Sequence, residues 1–264
     1  MINWSVFSVA IGIFLTSLVF SMFGRGGGEF YLLFIISLLP IDYYTGAGIT
    51  LFLIMLQGIS MIAVYHAKHR LVDWGLALIL GLSTGLSSFL GGYLSYNIPA
   101  VYLKVLFSAS IMISAFFLYK GIWIRGRKGR IGVWTRNIGS EIYHVNLLYI
   151  VPLIVLVTFV AGMVGISGGG LIIPICILLG GVPIRVAMGT NTFLVLISST
   201  LSFIGHAIKG GFNIYYGVIY GVMVILGSQI GSRLHVKINE TLLRKIFSAI
   251  LVIAASWMII KIFI

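Results

Sequence analysis

The chain has 264 residues, 60% of them hydrophobic and 8% charged, with a mean hydropathy of +1.15 and a formal net charge of +12. A soluble domain carries about 25% charged residues, so this chain has too few polar groups to cover a surface facing water, and its solvent is lipid. The positive balance does not call for nucleic acid, because basic residues flank membrane spans on the cytoplasmic side, and the single cysteine, Cys176, excludes an intrachain disulfide.

In chain order, apolar runs fall near 3–23, 44–65, 73–95, 100–120, 147–164, 187–207, 214–233 and 243–264. Each is close to the ~20 residues that cross a bilayer core as a helix. The first run lacks a basic leader and a small-residue cleavage site, so it is read as mature structure. Two shorter apolar runs, 29–39 and 171–182, each follow a glycine cluster. The one long polar stretch, 121–146, is basic and glycine-rich and reads as a linker. The organisation expected is a first transmembrane repeat over 1–122, a basic cytoplasmic linker over 123–146 and a second repeat over 147–264. The fold class is an all-α polytopic membrane protein, each repeat holding four long spans and one short glycine-interrupted half-helix.

The two glycine clusters are FGRGGGEF at Phe23–Phe30 and VGISGGGL at Val164–Leu171. Gly24, Gly27 and Gly28 match Gly165, Gly168 and Gly169 at an offset of 141, as Gly48, Phe52 and Lys68 match Gly189, Phe193 and Lys209. Nearer the ends of the halves the offset is 140, where Phe107-Ser108-Ala109 matches Phe247-Ser248-Ala249. The chain is thus written twice. If each half crosses an odd number of times, the second copy is inverted. One side then collects 13 basic residues, among them Lys68, Arg70, Lys120, Arg136, Arg185 and Arg233, and the other only Lys104, Lys209 and Lys261. Four crossings per half would divide them 10 to 6. The positive-inside rule favours the odd count, with both termini extracytoplasmic in a cell membrane.

Inverted repeats with short, interrupted segments at matching positions are a transporter signature, and the substrate site forms where the broken helices meet. Backbone that leaves helical geometry at membrane depth must line a cavity or be buried in protein. Free N–H groups in a glycine turn form an anion-binding nest, and the helix that follows, starting near Glu29 or Leu171, turns its positive end to the same point. Pro174 is expected in the first turn of its helix, where a missing N–H costs little. Glycines packed closely between helices are the competing explanation, and they suit spaced residues such as Gly227 and Gly231 better than a triplet.

VGISGGGLIIP at Val164–Pro174, VPIRVAMGTNTF at Val182–Phe193 and GGFN at Gly210–Asn213 resemble the second-half signature of the TauE/SafE sulfite exporter family. FGRGGGEF and GAGITLF, the latter at Gly46–Phe52, are similar to its first-half counterpart. Arg25, Glu29 and the lack of a proline matching Pro174 depart from that pattern. The resemblance covers nearly the whole chain. It implies transport of small sulfur-containing anions such as sulfite, thiosulfate or organosulfonates.

The substrate-binding residues expected are Arg25, Gly26, Gly27 and Gly28 of the first turn, Ser167, Gly168, Gly169 and Gly170 of the second, and Thr190 and Asn191 at the start of the next span. An arginine at depth is expensive and usually functional, and its planar fork suits an oxyanion; at the interface it would instead snorkel. Glu29 lies four residues on and can pair with it. Asp42, Asp73, Glu141 and Glu240 fall in loops, so Glu29 is the carboxylate expected at depth and a candidate for proton coupling, with His206 the imidazole alternative. Gln57 serves either the site or helix packing. The sequence holds no HExxH, no P-loop and no paired intramembrane carboxylates, so no enzyme, cofactor or metal is expected. The partners expected are the anion and the bilayer, with no nucleic acid; a homodimer stays open. So do a transporter or channel for another small solute, and a non-transporting membrane enzyme or assembly factor.

Overall fold

The computed structural model describes residues 4–120, 133–138 and 141–234, together with residues 252 and 256. Nine α-helices are found among the described residues: α1 Trp4–Ser21, α2 Gly28–Leu38, α3 Tyr43–Ala67, α4 Trp74–Leu94, α5 Ala100–Lys120, α6 Leu147–Val164, α7 Gly169–Leu178, α8 Ile184–Ile208 and α9 Ile214–Leu234. Six of their segments are long and apolar enough to cross a membrane, in α1, α3, α4, α6, α8 and α9. The span expected at 243–264 lies outside the described residues.

Local chemistry sets the helix starts. Asp42 accepts from the Thr45 amide at 3.0 Å, Asp73 from the Leu76 amide at 3.1 Å and Asn146 from the Leu148 amide at 3.1 Å. These are N-caps for α3, α4 and α6. The helix sides facing outward are apolar. On α4, Leu78, Leu82, Leu86 and Leu90 recur every fourth residue and all are exposed, as a lipid-facing stripe requires.

Helix α4 packs on α6 and α8, α1 packs on α9, and α3 packs on α8 and α9. Exchanging each helix for its counterpart in the other half (α1 for α6, α2 for α7, α3 for α8, α4 for α9) returns the same pairs. The exchange holds at individual residues. Gly91 of α4 lies against the Phe159 carbonyl of α6, and Gly231 of α9 lies against the Leu18 carbonyl of α1. Such contacts explain why these spaced glycines need to be small.

Helices α3 and α8 run antiparallel. The Tyr44 hydroxyl, at the start of α3, donates to the Ile98 carbonyl beyond the end of α4 at 2.6 Å. Tyr96, stacked on Tyr44, also meets the ring of His206 at the end of α8. At the opposite end, the Asp73 amide donates to the Thr190 hydroxyl near the start of α8 at 3.0 Å.

The stretch expected to be a plain linker contains a β-hairpin, so the molecule is mostly rather than wholly helical. Strand β1, Val133–Ile138, pairs antiparallel with β2, Glu141–Asn146, in a register from Val133 opposite Asn146 to Ile138 opposite Glu141. The alternation is readable in β2, where Tyr143 and Val145 are buried while Ile142 and His144 are exposed. Basic and glycine-rich composition on its N-terminal side masked this period-2 pattern.

Candidate functional site

Both glycine clusters break the chain as expected. Helix α1 ends at Ser21 and α2 begins at Gly28; α6 ends at Val164 and α7 begins at Gly169. Gly24 and Gly165, matched at the 141 offset, both adopt left-handed backbone, with φ of 63° and 89°. That conformation needs glycine. Each also packs into the other half: a side chain on Gly24 would strike the Met188 carbonyl of α8, and one on Gly165 would strike Ala47 of α3. Residues 47 and 188 are again 141 apart.

The helix after the second turn begins at Gly169, two residues earlier than expected. Pro174 therefore sits in the second helical turn, not the first. The amide it lacks is the one that would reach the Gly170 carbonyl. Neither α2 nor α7 has a side-chain cap at its N-terminus, where Gly27 and Gly168 stand.

The two turns meet. A Cβ on Gly26 would lie 3.2 Å from the Ser167 hydroxyl, and one on Gly169 would lie 3.1 Å from Nδ2 of Asn191 and 3.5 Å from Cβ of Arg25. A side chain on Gly170 would overlap Nη2 of Arg25 and approach Oε1 of Glu29 to 3.2 Å. The guanidinium thus lies across the N-terminus of α7. It pairs with Glu29, Nη2 to Oε1 at 2.7 Å, with the two side chains 3% and 6% exposed, and stands 5.3 Å from the Phe20 ring centre. The pairing expected from the spacing of four is present. Glu29, in the first turn of α2, also faces that helix's positive end.

Polar side chains from the middles of the two 25-residue helices hold the turns. Gln57 of α3 accepts from the Gly27 amide at 3.0 Å and from the Tyr31 hydroxyl at 2.9 Å; its amide donates to the Ser21 hydroxyl at 2.8 Å and to the Arg25 carbonyl at 3.4 Å. Ser198 of α8, its partner at the 141 offset, donates to the Ser167 carbonyl at 3.3 Å. Asn191 donates to the Gly24 carbonyl at 2.8 Å, joining α8 to the opposite half's turn. Its Oδ1 and the hydroxyl of Thr50, its counterpart in α3, are buried and make no hydrogen bond among the described residues. Buried polar atoms are nearly always paired, and these two lie beside the turns.

Not every expected residue joins this cluster. Thr190 turns toward α4 and accepts from the Asp73 amide. His206 places Nε2 3.1 Å from the Gly162 carbonyl, in the last turn of α6. Tyr65, its first-half counterpart, does the same to α1 by donating to the Ser21 carbonyl at 3.0 Å. Both residues close the end of the helix before a break. Ser198 is the residue that the sequence reading passed over. The available signal was a polar residue at depth 141 positions after Gln57.

A second polar centre lies at the start of α4. Asp73, fully buried, receives Arg136 through two bonds, Nε to Oδ2 at 2.9 Å and Nη2 to Oδ1 at 2.5 Å, and the Tyr143 hydroxyl at 2.5 Å. Burial opposes ionisation of Asp73, but the bonds from Arg136, Tyr143 and the Leu76 amide outweigh it and hold the carboxyl below its ordinary value. The hairpin is thereby fastened to α4, and through Thr190 to α8.

The family model described as Sulfite exporter TauE/SafE matches residues 9–258. The chain is 28% identical over 207 residues to the probable membrane transporter protein YunE of Bacillus subtilis, covering 75% of this chain and 72% of that protein. It is 25% identical over 265 residues to a probable membrane transporter protein of Methanocaldococcus jannaschii, covering 94% and 92%. No solved structure matches.

Proposed function

Because the chain belongs to the TauE/SafE sulfite exporter family, and is therefore a multi-pass membrane transporter and not an enzyme, we propose that it moves small sulfur-containing anions through a site between its two glycine turns. Sulfite, thiosulfate and organosulfonates are the substrates that this reading names. The observation that carries it is the placement of the Arg25 guanidinium across the uncapped N-terminus of α7, beside Gly169 and Gly170. A guanidinium fork, turn amides and a helix N-terminus together form an oxyanion receptor. The open hydroxyl of Thr50 can donate to an oxyanion, whereas the open acceptor of Asn191 takes a donor such as water.

The site lies near the bilayer midplane in this reading, since Gln57 and Ser198 fall near the middles of α3 and α8. The halves are inverted repeats related by a two-fold axis in the membrane plane. The antiparallel course of α3 and α8, the exchanged packing pairs and the division of basic residues support this. Both termini are then extracytoplasmic, and the hairpin is cytoplasmic.

Purified protein in liposomes tests the function. One or more of sulfite, thiosulfate, sulfate, taurine and sulfoacetate should cross with saturable kinetics. Arg25→Ala should raise the KM for that anion at least tenfold, and Arg25→Lys should restore it in part, because lysine lacks the planar fork. No flux of any of these anions, or an unchanged KM in a folded Arg25→Ala protein, would overturn the reading.

A further inference from the structure

Glu29 is out of place in an anion site. Its Oε1 stands 2.7 Å from the guanidinium that should hold the substrate, and both side chains are buried. Resting on the anion-site reading, we propose that Glu29 and the transported anion are alternative partners of Arg25, so that an anion binds when Glu29 takes up a proton and each anion crosses with one proton.

The argument begins with the neighbours of Glu29. The groups that titrate beside it, among the described residues, are Arg25 of the turn and Tyr31 of α2, whose hydroxyl is engaged by Gln57. Helix α7 presents Gly170 to the pair and α8 presents Asn191 to the turn; α3 brings Thr50 and Gln57, and α1 brings Phe20. None of these carries a second positive charge. Asp42 and Asp73 cap the starts of α3 and α4, and His206 is engaged with α6.

Two negative groups on one buried guanidinium repel strongly where water does not screen them. An arriving oxyanion therefore favours protonation of Glu29, which changes the side chain from acceptor to donor. The proton comes from water on the side that supplies the anion and leaves with it on the other. When the anion departs, Glu29 ionises and pairs again with Arg25, so the empty site returns neutral. A proton on Glu29 without an anion would weaken the charge pairing of Arg25 at depth, which disfavours proton leak.

Thiosulfate is the probe, since it does not itself titrate between pH 5 and 8. In liposomes loaded with a pH dye, labelled thiosulfate and protons should enter together at a ratio of one, and an inward proton gradient should drive accumulation above equilibrium. In detergent, thiosulfate binding to unbuffered wild-type protein should withdraw one proton from solution. Glu29→Gln should keep thiosulfate counterflow but lose accumulation, with at least a tenfold flatter pH dependence. Wild-type thiosulfate flux without proton movement or proton uptake would overturn this proposal and leave the anion-site reading standing. So would a Glu29→Gln protein that folds and does not exchange. Absence of flux for thiosulfate and for every other anion named above would overturn both. Should Glu29→Gln fail to fold, the two wild-type ratios still decide.

Discussion

Single glycines in the two clusters do different work, and substitution should separate them. At Gly165 a side chain meets both a φ of 89° and the backbone of Ala47. Gly165→Ala should destabilise the protein by at least about 1–2 kcal/mol, the usual penalty for left-handed backbone, and a fall in the midpoint of thermal unfolding in detergent would register it. At Gly170 the obstacle is the far end of Arg25, which can move. Gly170→Ala should leave the unfolding midpoint nearly unchanged while displacing the guanidinium and raising the KM for the transported anion several-fold. Equal destabilisation by both substitutions would make Gly170 a packing residue. Gln57 has a third role, since its removal strands the Gly27 amide, and a buried group left unpaired costs about 1–3 kcal/mol.

Among the elements, the hairpin carries the least expected contact. Arg136 is flanked by the Trp134 ring, 4.1 Å from its centre, and aimed at a carboxylate that also caps α4. Asp73→Asn keeps a good capping residue and removes the charge, so it isolates the ion pair. It should lower stability by about 1–3 kcal/mol, the cost of losing strong bonds to a buried group. At about 2–4 °C per kcal/mol for a chain of this size, the shift is measurable. The same pair gives a pH dependence. Because Asp73 has its carboxyl held below the ordinary value of 3.8, its contribution is fully present above that value. It is lost as pH falls through the lower folded value. Hairpin docking should therefore be insensitive to pH from 5 to 8 and should fail only in strong acid, as read by the amide-exchange protection of β2 in the unsubstituted protein. Loosening near neutrality would mean that another group holds the hairpin.

At the scale of the whole molecule, the proposed inverted arrangement makes a sidedness prediction. With Cys176 replaced, cysteines at His144, in the hairpin, and Arg70, after α3, should react with an impermeant reagent from the cytoplasm only. Cysteines at Asn97 and Lys209 should react only from outside. Lys209 stands 4.4 Å from the Tyr93 ring centre near the end of α4, so these last two positions should share a side whatever the topology. Labelling of His144 and Asn97 from the same side would exclude the odd-crossing arrangement.

Membership in a lipid-embedded class was decided by the sequence alone, because a chain with 8% charged residues cannot hide its apolar surface from water by any folding. The glycine matches were legible for a similar reason: Gly24 and Gly165, 141 positions apart, both hold left-handed backbone that other residues tolerate poorly. The helix-breaking turns and the spacing of Arg25 and Glu29 were legible with it, since turn chemistry and i to i+4 proximity are local. Contacts between segments far apart in the chain were not. That Thr190 serves Asp73 while Asn191 reaches Gly24, that Ser198 repeats the task of Gln57, and that Arg136 closes on Asp73 all depend on which helix faces lie together. In an apolar chain nearly every face is hydrophobic, so amphipathic periodicity gives little information on the buried side. The packing of α3 against α8 made that choice.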